Sequence, residues 1–308
     1  MDKLRVLFVC SGNNVSGRSP NVDIQAEGVM QAGVEVEFFE IIGKGVTGYL
    51  KNVSVLRKYL RKNQFDVIHA HYALSGIVAS LAGAAPLVVT IMGSELNLGR
   101  MLPFVTKFFS RFVWNKVIVQ SAKMSMAVGK DAVILPNGVD LQKFKDVDRK
   151  KAIELTGFKS GKQIIWVSDP GRDEKNFGLA ERAVEALNDA GVSLLVVNGV
   201  PHDDIPFYFR AADVLLLTSK WEGSPIVVKE ALASGLPVVS VDVGDVRELL
   251  SGVDGCYVAG DSPEDIALQL KKALSFTGRT DGIKNVEHLD IKIISERLKY
   301  LYLSMAGQ

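Results

Sequence analysis

Two α/β domains, each a parallel sheet flanked by helices, are what this sequence predicts. Two observations carry that expectation. The first is a strand–helix alternation that restarts after a Lys/Asp-rich stretch at 143–151, the βαβ rhythm of parallel sheets. The second is size: 308 residues suffice for two domains, and 47% apolar with 23% charged residues is a globular balance with material for two cores. A net charge of +1 argues against bulk nucleic-acid binding, which draws on many phosphate-neutralising Lys and Arg.

The elements follow in order. Residues 4–10 read as an apolar strand that starts almost at the N-terminus, with no signal peptide ahead of it. Residues 11–20 form a polar Gly/Asn/Ser loop, 21–32 a helix ending near Gly33, and 34–40 a strand. A basic amphipathic helix covers 53–63 and a strand 65–69. The apolar run 73–92 is long enough to suggest a membrane span, but Pro86 interrupts it and Gly76 and Gly83 weaken it as one helix. It reads as a helix, a turn and a strand at 87–91. A helix at 102–114 and a strand at 117–120 close the first series. The second series has strands at 163–168, 193–198, 213–218, 237–241 and 255–258. Its helices are 177–189, 206–212, 225–234, 245–250, 263–275 and 291–305. Cys10 and Cys256 sit in apolar settings and read as buried free thiols, as in a reducing cytoplasm.

The most informative stretch is 213–250: a strand, a turn carrying Glu222, a helix carrying Glu230, and a second strand. With 225–234 helical at about 1.5 Å per residue, the two carboxylates stand roughly 10 Å apart. They cannot easily share one metal ion or one proton, but they can grip the two ends of an elongated polar ligand. An ionised carboxylate accepts two hydrogen bonds and fits a vicinal diol. The plain alternative is an exposed glutamate and a helix-surface glutamate.

This segment, E-x7-E followed by A-S-G-L-P-V-V at 233–239, resembles the nucleotide-sugar site of the retaining glycosyltransferases of family GT4. The resemblance extends to P-N-G-V-D at 136–140 and D-V-I-H-A-H at 66–71. It implies the GT-B fold, two Rossmann-like domains facing each other across a cleft. Residues 1–145 would be the acceptor domain and 146–290 the donor domain. Helix 291–308 would pack back on the first.

The resemblance also implies roles. Glu230 would hold the ribose and Glu222 the hydroxyls of the transferred sugar. Arg172 and Lys175, in the run S-D-P-G-R-D-E-K-N-F at 168–177, would bind the diphosphate at a helix N-terminus, where fixed cations and backbone N–H groups converge. Backbone around Gly223, Ser224, Pro225 and Ile226 would support sugar and phosphate, and Gly199-Val200-Pro201 the base. In the first loop Gly17 and Arg18 are candidates near the phosphates and acceptor. His71 is the better candidate of the His69/His71 pair, and the other reading of the pair is a structural histidine bonded at a strand end. No third ligand stands at metal spacing from them. Where many members of the family carry T-x-H-G-S-D, this chain reads T-I-M-G-S-E at 90–95, so Met92 can exchange no proton, Gly93 and Ser94 can line the site, and Glu95 stands for the Asp.

The reaction implied is a retaining, metal-independent transfer from a UDP- or GDP-sugar to a hydroxyl of a glycan or lipid-linked acceptor, with no cofactor. The alternative is a non-catalytic nucleotide-sugar-binding protein of the same fold. Localisation is expected to be cytoplasmic. A peripheral contact at the inner membrane face rests on the basic stretches 51–62 and 100–116. The second mixes Phe and Trp with Lys and Arg at helical spacing. Its favoured reading is a core helix burying Phe104, Phe108, Phe112 and Val113.

Overall fold

The computed structural model describes residues 3–13, 17–93, 95, 101–128, 132–145, 147–158 and 161–307. The chain separates into two units, Met1–Gly138 with Ile291–Gln308, and Val139–Asp290. Residues 139–145, read with the first half from sequence, thus group with the second unit.

Among the described residues the first unit holds six parallel strands: β1 (Arg5–Ser11), β2 (Glu35–Ile41), β3 (Val67–His71), β4 (Leu87–Thr90), β5 (Lys116–Val119) and β6 (Val133–Ile134). Their order is β2-β1-β3-β4-β5-β6, with Val6 of β1 opposite both Val36 and Val67. Val6 to Cys10 are all buried, the continuous apolar run of a strand covered on both faces. Leu7, Val9, Ile68, Val89 and Val117 meet Ala73, Ile77 and Val78 of helix Ala73–Ala82 and the indole of Trp114 in one core.

Among the described residues the second unit has five parallel strands: β7 (Lys162–Val167), β8 (Val192–Val197), β9 (Val214–Leu217), β10 (Val238–Val241) and β11 (Tyr257–Ala259), ordered β11-β10-β9-β7-β8. In both sheets one strand sends its successor to one side and a later strand to the other. That reversal lies between β1 and β3, and between β7 and β9. Ligands of open parallel sheets bind outside the carboxyl ends of the strands at such a switch point.

Four differences from the sequence reading have physical causes. Strand β3 runs on to His71 rather than stopping at 69. Short helices occupy Gly45–Leu50 and Ala122–Val128, stretches to which the sequence reading assigned no element. The charged stretch 143–151 is not a plain linker: Leu141–Lys145 and Arg149–Thr156 are helical, since Leu141, Phe144 and Ala152 are buried and the Asp148 carboxylate caps the second helix by accepting from Lys151 N–H at 2.8 Å.

The fourth is helix Met101–Phe112. The expectation that Phe104, Phe108, Phe112 and Val113 fill the core is wrong. Phe104 is 73% exposed, Phe112 69% and Phe108 51%, and Val113 is exposed too. Thr106 and Ser110 are the buried residues, with Val105 and Phe109 packed beside them on the core. Two apolar stripes share this helix, and helical spacing alone does not say which faces inward.

The last helix, Ile291–Ala306, belongs to the first unit. It buries Ile291, Ile294, Leu298 and Tyr302. A Cβ added at Gly28 would lie on Ser295 Oγ, so only glycine lets the helix Pro20–Gln31 approach this closely.

Candidate active site

Three loops leave the carboxyl ends of adjacent strands in the second sheet, after β7, β8 and β9. They carry Lys175, His202 and Glu222, and Glu230 follows on helix Ile226–Ala233. The loop after β7 closes in a tight turn, Asp173–Lys175, with Asn176 left-handed at φ 55°. It is stitched to the end of β9. Thr218 Oγ1 donates to the Lys175 and Asn176 carbonyls at 3.1 and 3.2 Å, and Lys220 N–H donates to Glu174 O at 2.8 Å. The Trp166 indole N–H in turn donates to Thr218 Oγ1 at 3.1 Å.

This stitching brings Lys175 and Glu222 together: Nζ lies 2.6 Å from Oε1, with both side chains largely buried. Arg172 does not join them. Its guanidinium pairs with Glu174 at 2.6 Å and is half exposed. Glu230 is only 4% exposed, and its Oε1 lies 2.6 Å from Nε2 of His202.

The turn between the glutamates is packed from below. Gly223, Ser224 and Pro225 are buried, and Pro225 is the residue that starts the helix. Ile226 is its first helical residue, so the adjoining backbone N–H groups have no partner within the helix. Ser224 Oγ donates to Asp245 Oδ2. Gly244, at φ +58°, brings its backbone so close to the turn that a Cβ would stand 2.8 Å from Gly223 O. Beneath lies Lys229, fully buried; burial lowers its pKa to about 8 against the pull of Asp245 and Glu230. Burial raises the Asp245 carboxyl, against the pull of Lys229. Gly199, left-handed at φ +69°, turns the chain just after β8.

In the first unit, β1 and β3 present their carboxyl ends at the other switch point. His69 and His71 lie on the same side of β3, with ring centroids 4.2 Å apart. His69 is structural: its Nδ1 lies 2.6 Å from Tyr302 Oη and its Nε2 2.7 Å from Thr90 Oγ1. Among the described residues His71 Nε2 is buried with no hydrogen-bond partner. Burial lowers the His71 pKa to about 3, so its ring is uncharged at neutral pH. Among the described residues no group of three or more His, Cys, Asp or Glu is placed to hold a metal ion.

Gly17 lies in the first loop at φ +90°. Arg18 is consumed within the unit: it pairs with Asp23 at 2.7 Å and Glu40 at 2.5 Å, and stacks 4.0 Å from the Phe38 ring centroid. Glu95 is fully buried and clamps two loops, accepting from Ala73 N–H at 3.2 Å and Met92 N–H at 3.0 Å. Burial raises its pKa against these backbone bonds. Ser94 lies outside the described residues. Cys10 and Cys256 are free and buried, and burial pushes both thiols up to about 12.

Sequence reasoning singled out Glu222, Glu230 and the loop of Arg172 and Lys175, of which the structure pairs Lys175 with Glu222. It passed over His202, Lys143, Lys229 and Asp245. The buried Lys229 had a signal, a lysine beside Glu230 in the otherwise apolar run V-V-K-E-A-L-A. His202 had none beyond its place in the loop after β8.

Two family profiles cover most of the chain. Glycosyltransferase Family 4 matches residues 11–143, and Glycosyl transferases group 1 matches residues 163–275. The chain is 28% identical over 271 residues to TuaC of Bacillus subtilis strain 168, a protein named for teichuronic acid biosynthesis, over 74% of this chain and 68% of that one. It is 23% identical over 308 residues to the UDP-Gal:alpha-D-GlcNAc-diphosphoundecaprenol alpha-1,3-galactosyltransferase of Escherichia coli, over 83% of this chain and 80% of that one. Among solved structures, sucrose-phosphate synthase from Thermosynechococcus elongatus superposes with a TM-score of 0.83 at 16% identity, over 99% of this chain and 100% of that one.

Proposed function

The chain belongs to the family 4 glycosyltransferases of GT-B fold, and from that premise we propose that it moves a sugar from a nucleoside-diphosphate sugar to a hydroxyl of a glycan or lipid-linked acceptor, with retention and without a metal ion. The observation that carries the reading is the pair Lys175–Glu222 on loops at the carboxyl ends of β7 and β9, with the buried Glu230 on the helix that follows. Glu230 takes the ribose diol and Glu222 the hydroxyls of the sugar. Lys175 and Arg172, with the start of helix Ile226–Ala233, take the diphosphate. Fixed cations there act where negative charge grows as the diphosphate leaves. Lys175 reaches the diphosphate only by loosening its bond to Glu222, so donor binding exchanges one ion pair for another. Gly199 and the turn Gly223–Ser224–Pro225 supply backbone to base and sugar.

On the acceptor side we place His71 and the loop of Gly17. The uncharged His71 acts by hydrogen bonding to an acceptor hydroxyl rather than as an acid at neutral pH. The galactosyltransferase's name, with UDP-Gal as donor and a diphosphoundecaprenol acceptor, supports a UDP-sugar and a lipid-linked acceptor here. The exposed face of Phe104, Phe108 and Phe112, with exposed Lys107 and Arg111 beside it, supports a peripheral contact with an anionic membrane. Among the described residues no helix is long and apolar enough to cross a membrane.

Thermal shift with UDP, GDP, ADP, dTDP, CMP and NAD tests the donor site. One nucleoside diphosphate, UDP first, should stabilise the wild-type chain, and Glu230→Ala should abolish the shift. An unchanged shift in the variant would remove Glu230 from the site.

A further inference from the structure

We propose that His202 is a positioning residue of the nucleotide-sugar site, holding the Glu230 carboxylate in the orientation that reads the ribose diol, and that Lys143 fixes the imidazole that does so. The proposal rests on the assignment of Glu230 to the ribose.

The hydrogen bonds determine the tautomer. Nε2 lies 2.6 Å from the Glu230 oxygen, which only accepts, so Nε2 carries the proton. Nδ1 lies 3.0 Å from Lys143 Nζ, which only donates, so Nδ1 offers its lone pair. Both bonds are made at once only by the neutral ring with its proton on Nε2. The chain of contacts then runs from the Asp203 carboxylate to the Lys143 ammonium at 2.6 Å, through the neutral imidazole, to the Glu230 carboxylate. The Asp203 end is almost fully exposed and contributes little. The Glu230 end is buried, where a charge-assisted bond is strong and a lost partner is costly.

The ring is also wedged. The Phe144 ring lies 5.9 Å away edge-on, and Phe144 itself is buried against Phe209 at 5.8 Å. Lys143 and Phe144 are consecutive residues of helix Leu141–Lys145. One short helix therefore supplies both the donor to Nδ1 and the apolar wall of the ring. A carboxylate has four lone-pair positions, so one bond to His202 leaves the rest for the two ribose hydroxyls. It removes the rotation of the carboxylate group that would blur the fit.

The test compares UDP with 2′-deoxy-UDP by calorimetric titration, and GDP with dGDP in parallel. The wild-type chain should prefer the ribonucleotide by about tenfold, the worth of one charge-assisted hydrogen bond. His202→Ala should cut that preference to about threefold or less. His202→Gln, whose amide can donate in place of Nε2–H, should restore most of it. Lys143→Met should lower it by a smaller factor, and should change nothing in the His202→Ala background. Melting temperatures of the His202 and Lys143 variants, whose side chains are partly buried, control for folding.

If His202→Ala keeps the full preference while Glu230→Ala loses it, the proposal is overturned and the ribose assignment stands. If Glu230→Ala also keeps it, or the wild type binds neither nucleotide, the assignment fails and the proposal with it. A loss in His202→Ala that His202→Gln does not restore would also overturn it, by showing that the ring's bulk and not its N–H matters.

Discussion

Glu222 is tied to the Lys175 ammonium, and its replacement separates two jobs. Glu222→Gln keeps the shape but frees Lys175 from its 2.6 Å partner. A freed ammonium should serve a diphosphate at least as well, while the sugar loses an ionised acceptor. The expected outcome is UDP affinity equal to or tighter than wild type, with turnover down about a hundredfold, near 3 kcal/mol in the transition state. Titration calorimetry and a donor-turnover assay read the two effects separately. Weaker UDP binding would mean that Lys175 does not contact the diphosphate. The buried histidines give a second prediction. His71 has a folded pKa of about 3 against an ordinary 6.5, set by burial. His69 is lowered by burial and by its neighbour His71. Below pH 6.5 the unfolded chain takes up protons that the folded chain refuses, so stability falls as pH drops through 6.5 toward 3. At pH 5 one such histidine costs about 2 kcal/mol. Glu95, raised by burial, works in the opposite sense, so the comparison is between chains. Between pH 7.5 and 5.0 the melting temperature should fall less in His71→Gln than in wild type. An equal fall would exclude His71 as the titrating group.

Elements were legible where one pattern had one solution. The βαβ rhythm placed ten of the strands within a few residues, because parallel strands buried on both faces are unbroken apolar runs. The E-x7-E spacing put Glu222 in the turn and Glu230 on the helix that follows, as the structure has them. The network around Glu230 was illegible for the opposite reason. His202 and Lys143 are 59 residues apart, and their meeting depends on strand order, not on local spacing. Arg18 failed similarly: Gly-Arg in a loop looks like a phosphate contact, and only the fold reveals Asp23, Glu40 and Phe38 around it. Helix Met101–Phe112 carried two apolar stripes, and choosing between them needed the packed core. Its outward stripe gives an element-scale prediction. Phosphatidylglycerol vesicles should sediment the protein at low salt, and less as salt screens Lys107 and Arg111. Phe104→Ser with Phe108→Ser should abolish binding without lowering the melting temperature, since neither ring supports the core. Equal sedimentation by wild type and variant would remove this helix from the membrane contact.

At the scale of the whole chain, each unit encloses its own sheet and core, and the final helix binds the chain's end to its beginning. Ile291, Ile294, Leu298 and Tyr302 are buried in the first unit, and Tyr302 bonds the fully buried His69 at 2.6 Å. Removing residues 291–308 therefore strips an apolar face from the first unit and leaves a buried imidazole nitrogen without its partner. Losing even one large buried side chain costs about 2–5 kcal/mol, and an unsatisfied buried polar group about 1–3 more, which is comparable to the whole stability of a domain. Lys143, Lys175, His202, Glu222 and Glu230, the residues proposed for the donor site, all lie within Val139–Asp290. The two losses should therefore come apart. In calorimetry the truncated chain should show the first unit's transition lowered by ten degrees or more, on the order expected from such a deficit. The second unit's transition should remain and still rise with UDP. Tyr302→Phe should lower the first transition by only a few degrees, since it keeps the ring and loses the hydroxyl. If truncation abolished the UDP-dependent rise, the donor site would need more than the second unit, and the ribose, sugar and diphosphate assignments would have to include residues from the first.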